Sequence, residues 1–412
     1  MIKNFRNDLA FLQQHTDTIV LGESGQAALV LAPAYQGRVM TSTAGGVADH
    51  SFGWINYDLI RQGKIVPQIN LYGGEERFWL APEGGRFSIF FPPAQLDEPL
   101  DFATWRVPTC IDTDPFAVRE VGARHAVFSH QASVQNRVGT EFHLGFERLV
   151  QLFDETRVAD AIGFDGPSLS GVPLVAHQSE NTLRNLGDVA WHPDTGLMSI
   201  WVLGMNAPSP QATLIVPYQT HGVSADEPIV NADYFGALGP DRLKVDRDRQ
   251  VILLRGDGEY RSKLGLTYPR ARPFLAAWDQ QRQVFTLVQY KLPKMSAADV
   301  ASNDGRADGL VQSHDRVAYV NNLWRVLDDE YRGDVINGYN DGPNESGSKL
   351  GGFFELESLS PALALAPQQA YTHTHLTVHM EATTPAAFAK VDALCQQLCG
   401  VSLTAIEFQQ DV

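Results

Sequence analysis

The chain has 412 residues, 44% of them hydrophobic, enough to bury a large core as one or more domains. Its formal net charge of −16 repels phosphate backbones, so nucleic acid is excluded as an expected partner. No apolar run approaches the roughly 18 residues of a membrane span, and no basic run suggests a membrane patch. Three cysteines make no disulfide framework: Cys110 stands alone, and Cys395 and Cys399, four apart, share a helical face and read as buried thiols. That usage suits a reducing compartment. With no continuous apolar segment near the start, a cytoplasmic protein is expected, or a periplasmic one where a leader has been removed.

In chain order, Phe5, Leu9, Phe11 and Leu12 predict a short helix over residues 5 to 15. Apolar runs then come at strand-and-turn spacing: Thr18 to Leu21, Ala27 to Ala32 and Val39 to Thr43, separated by Gly22-Glu23-Ser24-Gly25 and ended by Gly45-Gly46. The pattern continues through Phe87 to Phe91, Ala126 to Val134, Thr140 to Phe153, Leu197 to Leu203, Thr213 to Pro217, Val251 to Leu254, Val284 to Tyr290 and Leu376 to His379. Thr, Val, Phe and Tyr are plentiful in these runs, as strands prefer. Ser296 to Ala301 is a weak helix candidate, and Ser302 to Gly309 and Asn340 to Ser348 read as polar loops. Pro385 to Leu398 predicts the best helix, with Thr384 as its cap and Gly400 as its stop. The expected architecture is mainly β, one large antiparallel sandwich over residues 1–382, with a C-terminal helix and tail over 383–412 packed on it.

One stretch, Asn70 to Gly85, stands out. Two glycine pairs bracket Glu75, Glu76, Arg77, Phe78, Trp79 and Glu83. Arg and Glu suit sugar hydroxyls and aromatic faces suit the apolar side of a sugar ring, so the stretch predicts either a polar, ring-stacking surface or a plain hairpin with an ion pair. Further on, Glu355 and Glu357 are two apart on a predicted strand and point to one face. Neighbouring carboxylates raise one pKa, which suits acid–base work near neutrality. His373, His375 and His379 also share a strand face, either as a solvated edge or, with Glu381, as metal ligands; a site without metal is the expected state.

Three segments resemble the aldose 1-epimerase (galactose mutarotase) family. Leu71-Tyr72-Gly73-Gly74 is similar to its Leu-His-Gly-Gly turn, with Tyr72 in the histidine position. Asn181-Thr182-Leu183-Arg184-Asn185-Leu186 is similar to its His-Thr-Tyr-Phe-Asn-Leu, with Asn181 where the catalytic acid stands. Phe354 to Ser358 is similar to the strand that carries its catalytic glutamate. Ser360-Pro361-Ala362, Leu365-Ala366-Pro367 and Tyr371-Thr372-His373 are similar to its proline turn and final strand. The resemblance implies a galactose mutarotase-like β-supersandwich and a bacterial branch of that superfamily rather than a true mutarotase. It implies a sugar substrate, small or oligosaccharide, and no cofactor.

Mutarotation needs a base for the anomeric hydroxyl and an acid for the ring oxygen. Glu357 and Glu355 are the catalytic candidates, with His177, four residues before Asn181, to supply the missing acid; His125 and His130 are weaker alternatives. Tyr72, Arg77, Trp79, Glu83 and Asn181 are the substrate-binding candidates, and Ile336 to Asp341 a candidate rim. A non-catalytic sugar-binding protein needs the same cleft without a proton donor, and a lyase-like enzyme needs a Tyr–His–Arg cluster. No Walker A loop, Gly-x-Gly-x-x-Gly, HExxH, Cys-x-x-Cys or Gly-x-Ser-x-Gly occurs, so nucleotide, zinc-protease and serine-hydrolase readings lack their parts.

Overall fold

The computed structural model describes residues 4–45, 49–94, 99–293, 312–313, 316–344 and 347–408. The Ser296–Ala301 helix, the Ser302–Gly309 loop and part of the 340–348 loop lie outside the described residues. The structure is mainly β. A ten-stranded antiparallel sheet runs in the order Leu243–Asp246, Val251–Arg255, Ala212–Pro217, Phe274–Asp279, Val284–Tyr290, Ala370–Glu381, Leu174–Asn185, Glu141–Phe153, His125–Gln135, Ala117–Val121. A five-stranded antiparallel sheet runs Ser262–Thr267, Asp334–Asn340, Phe354–Leu359, Ser199–Asn206, Arg77–Ala81. A three-stranded sheet over Ile19–Thr43 is tied to the smaller one through a bridge between Val39 and Glu76.

The main core lies between the two large sheets. Phe78 and Leu356 of the smaller sheet meet side chains such as Phe146 and Leu214 of the larger. Half of the ten-stranded sheet is buried on both faces, because the helix Pro385–Cys399 covers its other side. Leu214 faces the main core while Ile215 joins Val391 and Leu394 of the helix; Ala277 and Trp278 divide in the same way. This explains why these strands read as continuous apolar runs rather than as alternation. The helix begins where Thr384 accepts from the Ala387 N–H and ends at Gly400, whose φ of 77° is the left-handed stop that glycine adopts without strain. The N-terminal helix Phe5–His15 packs on the three-stranded sheet through Phe5 and Leu12.

Two expectations are corrected. Phe87 to Phe91 is not a strand but an irregular buried segment. Ser88 explains it: its hydroxyl donates to the Glu83 carbonyl and accepts from the Phe90 N–H, and its own carbonyl accepts from Arg137, so local bonds replace a ladder. His373, His375 and His379 form no solvated edge. All three are buried beneath the smaller sheet, where Ser358 Oγ lies 2.9 Å from His373 Nε2 and 2.8 Å from His375 Nδ1. Among the described residues no group of three or more His, Cys, Asp or Glu is placed to hold a metal.

Candidate functional site

The five-stranded sheet has one face in the core, and its other face floors a cavity of about 350 Å³. Alternation puts the polar side chains there. In Phe354-Glu355-Leu356-Glu357-Ser358, the apolar residues and Ser358 point to the large sheet, so Glu355 and Glu357 point away from it. On the edge strand, Phe78 packs on Phe146 while Arg77 and Trp79 face the cavity. Cross-strand register then assembles the floor: Arg77 is opposite Leu203, Leu203 opposite Glu357, and Glu357 opposite Asn337. One residue pair along, Glu355 is opposite Tyr339, and Tyr339 opposite Lys263.

Ion pairs set the electrostatics. Arg77 Nη2 lies 2.8 Å from Glu355 Oε1, with its guanidinium carbon 4.3 Å from the Trp79 ring centroid. Glu357 Oε2 accepts from Trp201 Nε1 at 3.0 Å and from Lys263 Nζ at 3.4 Å. Its Oε1 is buried without a hydrogen-bond partner, as are Arg77 Nε, Trp79 Nε1 and Trp105 Nε1 on other cavity residues. Buried polar groups are normally paired, so these atoms are exceptions to that rule. Burial raises the Glu355 pKa; Arg77 opposes the rise and the neighbouring Glu357 adds to it. Burial also raises that of Glu83, against the pull of Lys263 and a hydrogen bond from the Trp324 side chain.

The mouth is aromatic. Phe102 and Trp324 lie 4.9 Å apart, Phe235 and Trp324 6.4 Å, and all three are exposed, at 49%, 40% and 37% for Phe102, Trp324 and Phe235. The second glycine pair of the 70–85 stretch holds this rim down. A Cβ on Gly84 would stand 1.9 Å from the Leu323 carbonyl oxygen, and the backbone N–H of Glu83 donates to Asn322 Oδ1 at 2.9 Å.

Of the residues singled out from the sequence, Arg77, Trp79, Glu83, Glu355 and Glu357 line this cavity together. Tyr339, from the candidate rim, does as well. Tyr72, His177 and Asn181 do not. Tyr72 stacks on Tyr35 with centroids 4.1 Å apart in the core under the N-terminal helix, and burial pushes its hydroxyl up to about 12. His177 is fully buried between Glu75 and Glu76, at 3.5 and 3.4 Å. Asn181 accepts from Arg148 Nη1 at 2.5 Å and donates to Ser179 Oγ at 2.8 Å. Glu75 and Glu76 leave the expected polar surface too: they turn into the interior, where Arg148 Nη2 meets Glu76 Oε1 at 2.7 Å. The reason is the direction of the strands, since Asn181 and His177 lie on the core face of the large sheet, behind the floor that carries the glutamates. His125 and His130 sit near the far edge of that sheet, beside Glu120 and Asp114.

Lys263, Trp201, Arg261 and the aromatic rim were missed. A signal existed for some of them. Arg261 and Lys263 are two apart at the head of an apolar strand, the same spacing that marked the glutamates, and Trp201 sits in the run Ile200-Trp201-Val202-Leu203-Gly204-Met205, where it alternates with core residues.

A family model described as a family of unknown function, DUF6786, matches residues 3–410. No curated protein matches the sequence. Among solved structures, the chain is similar to the GalM/aldose epimerase homologue from C. elegans, at 10% identity and a TM-score of 0.45 over 88% of this chain and 98% of that one. It is similar to the galactose mutarotase related enzyme from Lactobacillus acidophilus, at 9% identity and 0.43 over 90% and 99%. It is also similar to a galactose mutarotase-like protein from Lactobacillus casei ATCC 334, at 10% and 0.40 over 89% and 99%. Each is a likeness of fold.

Proposed function

The chain belongs to DUF6786, a family of unknown function, and for it we propose a sugar-binding cavity that interconverts anomers by acid–base catalysis. The observation that carries this reading is the Glu357 carboxylate. One oxygen is held by Trp201 and Lys263 while the other, buried and unpartnered, faces no protein donor. A carboxylate fixed at one oxygen and free at the other is oriented as a base. Aromatic walls and the unpartnered N–H groups of Arg77, Trp79 and Trp105 supply what a sugar ring needs, a stacking face and donors for its hydroxyls.

In the proposed step, Glu357 Oε1 takes the proton of the anomeric hydroxyl. The C1–O5 bond breaks to leave a C1 aldehyde, and O5 receives a proton from the carboxylic acid of Glu355. Rotation about C1–C2 and the reverse transfers close the ring on the other face. Glu355 suits the acid role because its raised pKa keeps a proton on it to higher pH than an ordinary carboxylate. Glu355 thus takes the acid role for which His177 was the candidate, the resemblance having put Asn181 where the histidine acid stands. No histidine lines the cavity among the described residues, which leaves the Tyr–His–Arg cluster of a lyase-like reading without its middle member.

A second reading has an observation of its own. Each glutamate is ion-paired, Glu355 to Arg77 and Glu357 to Lys263, which favours a site that binds sugar without turning it over. Proton NMR of anomer exchange across a panel of aldoses separates the two. Catalysis predicts exchange above the buffer rate, reduced about 10²- to 10⁴-fold in Glu357→Gln, and falling in the wild type as pH rises through the Glu355 pKa. Binding with no excess exchange leaves the second reading, and silence across the panel removes both.

A further inference from the structure

Resting on the reading of the cavity as a sugar site, we infer that its ligand is a sugar acid carrying one carboxylate, and that Arg261 is the residue that receives it. Four cationic and four acidic side chains line the cavity. Three of the cations are matched: Arg77 to Glu355, Lys263 to Glu357, and Arg325 to Asp233 at 3.5 Å. The fourth acid, Glu83, is buried, and burial raises its pKa against the opposing pull of Lys263 and Trp324, so its negative charge is disfavoured. Arg261 is left. Among the described residues no carboxylate lies within ion-pairing distance of it, and its Nε is buried without a partner.

Its placement fits the role. Arg261 immediately precedes the strand Ser262–Thr267, two residues before Lys263, and both line the cavity, Arg261 beside Phe235 of the mouth. Its guanidinium carbon lies 4.3 Å from the Phe235 ring centroid, which holds the plane by stacking and leaves the N–H edge for a ligand. A planar fork with two parallel N–H groups matches the two oxygens of a carboxylate. Arg261, the cavity cation with no carboxylate beside it among the described residues, offers one positive charge to one negative charge. A phosphate monoester, with close to two charges near neutrality, would leave one unmatched in a partly dry cavity.

The test is isothermal titration of the full chain with three probes on one sugar skeleton: glucose, glucuronate and glucose 6-phosphate. The galactose series is run beside it. The expected result is glucuronate or galacturonate bound about tenfold or more tighter than the parent aldose, the effect of one charge-assisted hydrogen-bonded pair. Arg261→Met brings that ratio to about one, and Arg261→Lys restores part of it because charge returns without the fork. Raising ionic strength from about 50 to about 500 mM weakens the uronate and not the aldose, a readout that stands even where Arg261→Met misfolds. Equal affinity for uronate and aldose overturns the inference and leaves the sugar site standing. A phosphate ester bound tighter than the uronate also overturns it, in favour of a dianion. Silence from every probe removes the sugar reading itself.

Discussion

Arg148 shows how a single residue can be confined to structure. Fully buried, it spends its guanidinium on Glu76, Asn181 and the Gly37 carbonyl. Burial pushes the Glu76 carboxyl up, but Arg148 and His177 overcome this and hold it well below the usual carboxylate range. Replacing Arg148 with Met strands that charge in the core, and urea unfolding of Arg148→Met is expected to show a loss of about 3–5 kcal/mol. Its neighbour Glu75 behaves in the opposite way. Burial raises it from about 4.5 to about 7, only partly opposed by His177 and by a hydrogen bond from Ser42. Between those pH values the native state keeps a proton that the unfolded chain has released. The contribution of Glu75 to stability is therefore complete below about 4.5 and lost as pH rises through about 7, on the order of 3 kcal/mol in all. Glu75→Gln cannot lose that proton, so its unfolding free energy between about pH 5 and pH 8 should slope less steeply than that of the wild type. Identical slopes would show that Glu75 does not titrate there. From the sequence these two glutamates looked like part of a polar surface, because partners such as Arg148 and His177 come from segments far along the chain and no local pattern announces them.

Elements were legible where one face of a period was buried and illegible where tertiary contacts set the backbone. The C-terminal helix could be read to within a residue, because Thr384, Pro385 and Gly400 punctuate a stripe of Val391, Leu394, Cys395 and Leu398 that packs on the large sheet. Leu394→Ala should cost about 2–5 kcal/mol in chemical denaturation, as for other fully buried leucines. The glutamate strand was legible for the same reason, a strict alternation of Phe354, Leu356 and Ser358 with the two acids. The aromatic rim was not, since Phe102, Phe235 and Trp324 lie in irregular segments brought together only by the folded chain. Gly84 is the hinge between legible and hidden. Its glycine pair could be seen, but not the Leu323 carbonyl that lies where a side chain would go. Gly84→Ala should displace the 322–325 segment and weaken sugar binding several-fold in the NMR assay. Unchanged affinity in Gly84→Ala would show that Trp324 takes no part in holding the ligand.

Across the whole molecule, the cavity is the place where distant parts of the chain meet. Its lining comes from residues 68–105, 201–203, 233–263 and 322–357, so it exists only when the smaller sheet is complete and the covering segments are seated on it. The sequence carried the acids and the arginine of this site but not their partners, because a cavity is made by register between strands, and register between segments such as Arg77–Ala81 and Ser199–Asn206 is not written in either alone. That dependence has a thermodynamic consequence. A ligand that needs all four segments binds the native state and not the unfolded chain, so it must stabilise the whole fold by mass action. At a hundredfold excess over Kd the gain is about 2.7 kcal/mol. Spread over an unfolding entropy of about 2.1 cal/mol/K per residue, this raises Tm by roughly 3 °C if the described sheets unfold as one unit. Calorimetry with the tightest-binding sugar of the NMR panel checks it. A single transition moved up by that amount is the expected result. A bound sugar that moves only part of a split transition would mean that the smaller sheet unfolds by itself, and one that moves nothing would show that it does not prefer the native state to the unfolded chain, against a site that needs all four segments.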